Sequence, residues 1–261
     1  MRLHEKVIIV TGSTMGIGEA VARRCVAEGA KVVIHGLERE LAASIATTLG
    51  PSAIVHCSDL AEVNSPAELV NAAIKAFGRL DGLVNNAAFI PRGNLATTDA
   101  ALFDKCMAIN ARAPLLLIQA ALPHLQKSRG AVVNIGSVNA YCGEPNLLPY
   151  SISKGALMTL TRNLGDALHR EAGVRVNQIN PGWVLTTNEN LTQMRMGKPA
   201  DWPAHLSSEF APSGGLIAPE QIASAVVFWL SDESRPASGT VMEYEQFPVI
   251  GRNPPKEPQK T

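Results

Sequence analysis

Short β-branched apolar runs alternate along this chain with stretches whose apolar residues recur every three or four positions. Residues 6–10 form the first run, and a glycine-rich turn follows. A helical stretch then reaches about Glu28, with Gly29 as its stop. Residues 31–34 read as a second strand, 38–49 as a helix ended by Gly50-Pro51, and 53–57 as a third strand. Ser65-Pro66 opens the next helix, with proline placed where its missing N–H costs little. Residues 80–86 give a fourth strand, and a long helix from about Leu102 to His124 continues through Pro114. Residues 130–135 and 174–179 are the fifth and sixth strands, separated by a helix that carries Tyr150 and Lys154 to about Glu171. Residues 188–215 show no clear period. A helix over about 219–230 and a strand at 240–244 close the pattern.

Strands alternating with helices predict an α/β fold, a doubly wound parallel sheet of about seven strands with helices on both faces. The strand runs have few polar interruptions, as expected when both faces are covered. No repeat and no Pro-, Gly- or Ser-rich linker divides the chain, so residues 1–247 read as one domain. Residues 248–261, with Pro254, Pro255 and Pro258, read as an extended tail.

Composition narrows the picture. The 261 residues are 46% hydrophobic and 18% charged, the balance of a compact globule. Lys plus Arg and Asp plus Glu are equal at 23 each, so net charge gives no footprint for nucleic acid or an acidic membrane. No run approaches the ~20 apolar residues of a membrane span. Cys25, Cys57, Cys106 and Cys142 form no CxxC and have no His cluster at metal-ligand spacing, so no metal is expected. Free cysteines and the lack of a signal peptide point to the cytoplasm.

Two constellations carry chemistry. Gly12-Ser13-Thr14-Met15-Gly16-Ile17-Gly18, after Thr11, joins the first strand to the first helix. Glycines there let backbone approach a pyrophosphate, and the helix N-terminus offers it unpaired N–H groups. The alternative is a plain tight βα turn. The second is Tyr150 and Lys154, which share a helix face at i and i+4. A free tyrosine titrates near ~10; a fixed cation beside it is expected to bring its pKa toward the working range.

With TGxxxGxG and Tyr150-x-x-x-Lys154 together, the chain resembles the short-chain dehydrogenase/reductase family. Further family motifs follow in order: Asn85-Asn86-Ala87-Ala88, Asn110, Gly136-Ser137, and Asn180-Pro181-Gly182 with Thr186 just beyond. The resemblance covers roughly residues 4–247 and implies a Rossmann-like fold. It implies an NAD(P)-dependent oxidoreductase that moves a hydride between a nicotinamide and an alcohol or carbonyl. By that resemblance Tyr150 is the general acid/base and Lys154 lowers its pKa and holds the nicotinamide ribose. Ser137 holds the substrate oxygen, and Asn110 holds a water leading from Lys154 to solvent. The cofactor-binding residues implied are residues 12–18, His35, Gly36, Asp59, Leu60, Asn86, Ala87, Tyr150, Lys154, Pro181, Gly182, Val184 and Thr186.

The cofactor is NAD or NADP. No carboxylate stands at Gly36, where NAD enzymes of the family carry one, and the reading leans to NADP, with Arg39 in reach of a phosphate and Glu38 opposing it. The pocket segments implied are 138–149 and 183–215, which offer Asn139, Tyr141, Cys142, Glu144 and Asn146, and Trp183, Asn188, Glu189, Met194, Trp202 and His205. With Ser137, they suit a small polar substrate: a sugar, polyol or hydroxy acid. The family's Asp-Gly-Gly turn is replaced by residues 243–248, so 247–252 either fold over a pocket or belong to a loose tail. The resemblance implies a homotetramer, or a dimer, packed through the helices of Asn110 and Tyr150. Two other readings are a silent NAD(P)-binding regulator of the same fold, whose mark would be loss of Tyr150, Lys154 or Ser137, and an extended epimerase, for which the chain is short.

Overall fold

The computed structural model describes residues 1–141 and 143–249. Cys142 and residues 250–252, named above for the pocket and tail, lie outside the described residues.

Seven strands form one parallel sheet: β1 (Val7–Val10), β2 (Lys31–Gly36), β3 (Ala53–Cys57), β4 (Gly82–Asn85), β5 (Ala131–Ile135), β6 (Arg175–Pro181) and β7 (Val241–Tyr244). Their order is β3-β2-β1-β4-β5-β6-β7. Every pairing is parallel, with Val10 opposite Ile34 on one side and Val84 on the other. This is a Rossmann-like doubly wound sheet. The order reverses between β1 and β4, and the crevice at the C-terminal strand ends there is where ligands bind in such sheets.

The helices are α1 (Gly16–Ala27), α2 (Arg39–Leu49), α3 (Ser65–Phe77), α4 (Ala100–Met107), α5 (Ala113–Ser128), α6 (Leu148–Ala172), α7 (Thr187–Arg195) and α8 (Pro219–Leu230). Side chains alternate across each strand, and that alternation builds two cores. Ile8 and Val10 pack with Val21 and Cys25 of α1 and Ile222 and Val226 of α8. Val7 and Ile9 face the other way, onto Leu69 of α3, Leu117 of α5 and Leu168 of α6. Each fully buried Leu, Ile or Val contributes roughly 1.5–3 kcal/mol relative to exposure.

The structure corrects two sequence expectations. Residues 188–215 show no apolar period yet hold a helix: α7 occupies Thr187–Arg195, and the Thr186 side chain caps it by accepting the Glu189 N–H at 3.0 Å. Gln193 is its only buried residue, so no apolar stripe marked it. The second correction concerns the long central helix. Ala100–Ser128 is one helical run of 29 residues, long and apolar enough to cross a membrane by length and composition. Its Lys, Asp and Arg residues masked that length. In the fold, Leu117, Ile118 and Leu125 of this run lie in the core beneath the sheet. The run widens to a π turn at Ala108–Arg112, which carries Asn110.

Candidate active site

A cavity of about 1110 Å³ opens along the C-terminal strand ends. It runs from the glycine turn, past Ser137, Tyr150 and Lys154, to Trp183 and Phe247.

The glycine turn is clamped onto β4. The Asn86 amide donates to the Thr11 carbonyl at 2.9 Å and the Gly12 carbonyl at 3.0 Å, while Thr11 Oγ1 accepts the Asn86 and Ala87 N–H groups. Gly12 has φ +60°, and a Cβ there would lie 2.8 Å from Ala87 Cα, so only glycine fits this crossing. Met15 precedes α1 without a side-chain cap, and the first amides of α1 remain free for an acceptor. Gly12, Thr14, Met15, Gly16 and Ile17 line the cavity. Ser13 and Gly18 do not: Ser13 Oγ donates to the Val10 carbonyl at 2.7 Å and accepts the His35 N–H at 2.9 Å, and so shapes the turn from behind.

His35 and Gly36 end β2 at the cavity, with Asp59 and Leu60 beside them. His35 Nδ1 accepts the Gly12 N–H at 3.4 Å, and Nε2 faces Ser58 Oγ at 3.4 Å. Burial pushes the His35 imidazole down to about 4, with the His56 charge adding to the shift. It is therefore neutral at ordinary pH. Gly36 itself carries no carboxylate, as expected, and Glu38, expected to oppose a 2′-phosphate, is the carboxylate at this end. Glu38, two residues past the strand, turns back into the cavity, and its Oε2 accepts the Thr14 hydroxyl at 2.8 Å. Arg39 is exposed and does not line the cavity.

At the far side, Ser137 is set by its neighbours. Its N–H donates to Asn180 Oδ1 at 3.1 Å, and its Oγ accepts the Asn139 N–H at 3.1 Å. A Cβ on Gly136 would overlap the Asn180 and Gln178 side chains, which explains the glycine before the serine. Pro149 in the first turn of α6 places Tyr150 at the wall, 8% exposed. The Ser137 hydroxyl hydrogen-bonds Tyr150 and favours its ionised form. Burial outweighs this and pushes Tyr150 up to about 12. Lys154 donates from Nζ to the Ile135 carbonyl at 2.7 Å, and its Nζ lies 5.5 Å from the Tyr150 ring centroid. Burial lowers its ammonium to about 8. The i, i+4 geometry is as expected; the expected fall in the tyrosine pKa is not, because desolvation of the phenolate dominates.

Asn110 lies behind the cavity wall rather than on it. Its Oδ1 accepts the Phe89 N–H at 2.8 Å, and its Nδ2 donates to the Phe89 carbonyl at 2.8 Å and to Ser153 Oγ at 2.9 Å. The side chain thus pins the β4–α4 loop to α6.

Asn86, Ala87, Pro181, Gly182, Val184 and Thr186 reach the cavity. So do Asn139, Glu144, Asn146, Trp183, Asn188 and Glu189 from the two expected pocket segments. Met194, Trp202 and His205 do not. Trp202 stacks behind Trp183 with centroids 5.3 Å apart, and His205 pairs with Asp201 at 2.9 Å on the surface. Sequence reading missed Arg92, Lys105, Lys198 and Phe210 on the rim. It also missed Glu245, whose carboxylate accepts the Trp183 N–H at 3.2 Å. Phe247, proposed to cover a pocket, lines it.

A family model described as enoyl-(acyl carrier protein) reductase matches residues 12–245. The 2-(S)-hydroxypropyl-CoM dehydrogenase 3 of Xanthobacter autotrophicus is 36% identical over 242 residues, covering 91% of this chain and 94% of that protein. The L-rhamnose 1-dehydrogenase (NAD(P)(+)) of Azotobacter vinelandii is 33% identical, over 92% of this chain and 94% of that protein. Among solved structures, 3-ketoacyl-(acyl-carrier-protein) reductase from Brucella melitensis complexed with NADH superposes with a TM-score of 0.82 at 28% identity. That match covers 92% of this chain and 97% of the other.

Proposed function

This chain belongs to the short-chain dehydrogenase/reductase family and is a nicotinamide-dependent oxidoreductase acting on CH–OH groups, and we propose that Tyr150, Ser137 and Lys154 carry its proton transfer. The observation behind this is that the Tyr150 and Ser137 side chains meet on the wall of a cavity that continues to the glycine turn. None of the three is lost, as a silent regulator of this fold would require.

The residues present fit a dinucleotide. Uncapped amides of α1 and the close crossing at Gly12 suit a pyrophosphate. Asp59 and Leu60 would hold the adenine, Lys154 and Tyr150 the nicotinamide ribose, and residues 181–186 the nicotinamide. When bound, that group supplies or takes the hydride. We favour NAD over the NADP that the sequence suggested. Glu38 places a carboxylate beside Gly36, and the neutral His35 offers no charge to a 2′-phosphate.

In alcohol oxidation Tyr150 Oη takes the hydroxyl proton; in carbonyl reduction it donates one. Ser137 Oγ orients the substrate oxygen against Tyr150, and this positioning lowers the barrier because the Ser137 backbone is fixed by Asn180 and its Oγ by the Asn139 N–H. Lys154 stands beside the phenol as a cation that the phenolate form would feel. Asn139, Glu144 and Asn188 favour a small polar substrate such as a sugar, polyol or hydroxy acid. A homotetramer or dimer through the helices of Asn110 and Tyr150 belongs to the same reading, supported by exposed Ile152 on α6. Free Cys25, Cys57 and Cys106 support a cytoplasmic setting.

Absorbance of NADH or NADPH, followed over a panel of polyols, sugars and hydroxy acids, tests the assignment. Tyr150→Phe is expected to lower turnover by about a hundredfold or more while cofactor binding persists. Turnover retained in that variant overturns the role given to Tyr150.

A further inference from the structure

Three cationic side chains from three separate elements line the cavity. Arg92 comes from the β4–α4 loop, Lys105 from α4, and Lys198 from the segment after α7. Arg92 Nη2 lies 4.0 Å from Met196 Sδ, so the β4–α4 loop and the segment carrying Lys198 face each other across the opening. Lys198 is held in place: its Nζ sits 4.9 Å from the Trp183 ring centroid and 4.6 Å from that of Trp202, over a stacked pair. Lys105 sits 5.0 Å over the Phe89 ring.

Among the described residues none of these three forms an ion pair. Carboxylates do line the same half of the cavity, and each accepts from at least one neutral donor. Glu189 accepts Trp183 Nε1 at 2.9 Å and Gln193 Nε2 at 2.7 Å. Glu245 accepts the Trp183 N–H at 3.2 Å and the Gln246 N–H at 2.7 Å. Glu144 faces Asn139 Nδ2 at 3.5 Å. The rim therefore holds guanidinium and ammonium donors that form no ion pair, while its carboxylates are held by neutral donors. An anion gains more from such donors than a neutral hydroxyl does, because charge-assisted hydrogen bonds are roughly twice as strong.

We propose that the substrate carries an anionic group, a carboxylate or sulfonate, remote from its reacting carbon, and that Arg92, Lys105 and Lys198 receive that group. This rests on the oxidoreductase reading and narrows its substrate class from small and polar to small and anionic. Tyr150 and Ser137 take the carbonyl end, and the rim takes the charged end. Arg is the better anchor of the three for a planar carboxylate, since its fork matches two oxygens.

The test reads binding, not hydride transfer, so it is independent of turnover. Calorimetry titrates 4-oxopentanoate, its neutral amide and 3-oxobutane-1-sulfonate into the whole protein with NAD present, a cofactor state that cannot reduce a ketone. The acid and the sulfonate are expected to bind about tenfold more tightly than the amide, a difference that shrinks at high salt. The double variant Arg92→Gln, Lys198→Gln is expected to bring the ratio of acid to amide affinity close to one. Both residues contact solvent, so loss of fold is not expected to intervene. Equal affinities in the wild-type protein, failure of the acids to bind, or a ratio unchanged in the double variant each overturn the proposal. Failure of the oxidoreductase reading would show separately, as no cofactor absorbance change with any alcohol or ketone.

Discussion

The Thr14 hydroxyl donates to the Glu38 carboxylate at 2.8 Å across the end of the cavity below β2. Gly36 leaves the space for that contact, since a Cβ there would lie 3.2 Å from Glu38 Oε2 and would overlap Thr14. The glycine turn and the β2–α2 connection are thus joined through a side-chain bond rather than through backbone. A carboxylate held this way accepts a ribose 2′-hydroxyl and repels a 2′-phosphate.

The wild-type protein is accordingly expected to prefer NAD to NADP in kcat/KM. Glu38→Gln keeps the shape and removes the charge, and should cut that preference about tenfold, the effect of one lost repulsion of ~1.4 kcal/mol. Steady-state kinetics with both cofactors measures it. A preference for NADP in the wild type, or an unchanged ratio in the variant, contradicts the role of Glu38.

Tyr150 and Ser137 make a pH prediction whose sign is fixed by their contact. Burial raises the Tyr150 pKa to about 12, and the Ser137 hydrogen bond opposes that rise. Alcohol oxidation needs the phenolate, so its rate increases with pH on the limb that reports Tyr150. Ser137→Ala removes a stabiliser of the phenolate and should move that limb to higher pH, besides lowering kcat. Reduction needs the phenol, which is the prevailing form below that limb. A pH profile of oxidation in Ser137→Ala that rises at lower pH than in the wild type is the opposite of this expectation.

Arg175 offers a test of the scaffold. It starts β6 and is 1% exposed, and among the described residues it forms no ion pair. Its Nη1 donates to the Trp229 carbonyl at 3.1 Å and to Ser234 Oγ, and its Nη2 to the Ser231 carbonyl at 3.0 Å. The cation therefore ties β6 to the negative C-terminal end of α8. Arg175→Met fills most of the volume but leaves only the Ser234 hydroxyl to serve the Trp229 and Ser231 carbonyls, so one buried acceptor goes unpaired, at a cost of about 3 kcal/mol. Thermal unfolding should show a Tm lower by roughly 5–10 °C. Arg175→Lys should fall between, because one ammonium cannot span both carbonyls as the guanidinium does. A Tm unchanged in Arg175→Met would show that the cation is dispensable.

The strands were readable because β-branched runs bounded by Gly, Pro and Asn carry their own signal, and the order of motifs placed Ser137, Tyr150 and Lys154 on one cavity. Helix α7 was not readable from periodicity: Gln193 alone is buried, and its start is marked only by the local bond from Glu189 N–H to Thr186. Glu38 is legible as a carboxylate that would oppose a phosphate, but the bond to Thr14 that turns it inward has no signal in the chain. The rim cations escaped because three elements distant in sequence bring them together. The Tyr150 pKa was misjudged because pair spacing is visible in sequence while desolvation of the pair is not.

His35 gives the last prediction, a dependence of stability on pH. Its imidazole is 2% exposed, its Nδ1 accepts the Gly12 N–H, and its folded pKa of about 4 lies below the 6.5 of an ordinary histidine. Between these two values the unfolded chain binds a proton that the folded chain refuses. Stability from His35 is therefore fully present above pH ~6.5 and is lost as pH falls toward ~4. The full loss is about 3 kcal/mol, taking ~1.4 kcal/mol per pKa unit. The slope within the window approaches one proton. His56, also lowered by burial, adds a loss of the same sign. Urea unfolding at several pH values reads the slope directly. His35→Gln keeps a polar side chain near Gly12 but cannot titrate, so it should be less stable than the wild type near pH 7 and show a flatter decline on acidification. Equal slopes for the two proteins between pH ~6.5 and ~4 would mean that His35 titrates in the folded chain as it does in the unfolded one. It would then become a cation facing the glycine turn below pH ~6.5, and the case for NAD would lose one of its two supports.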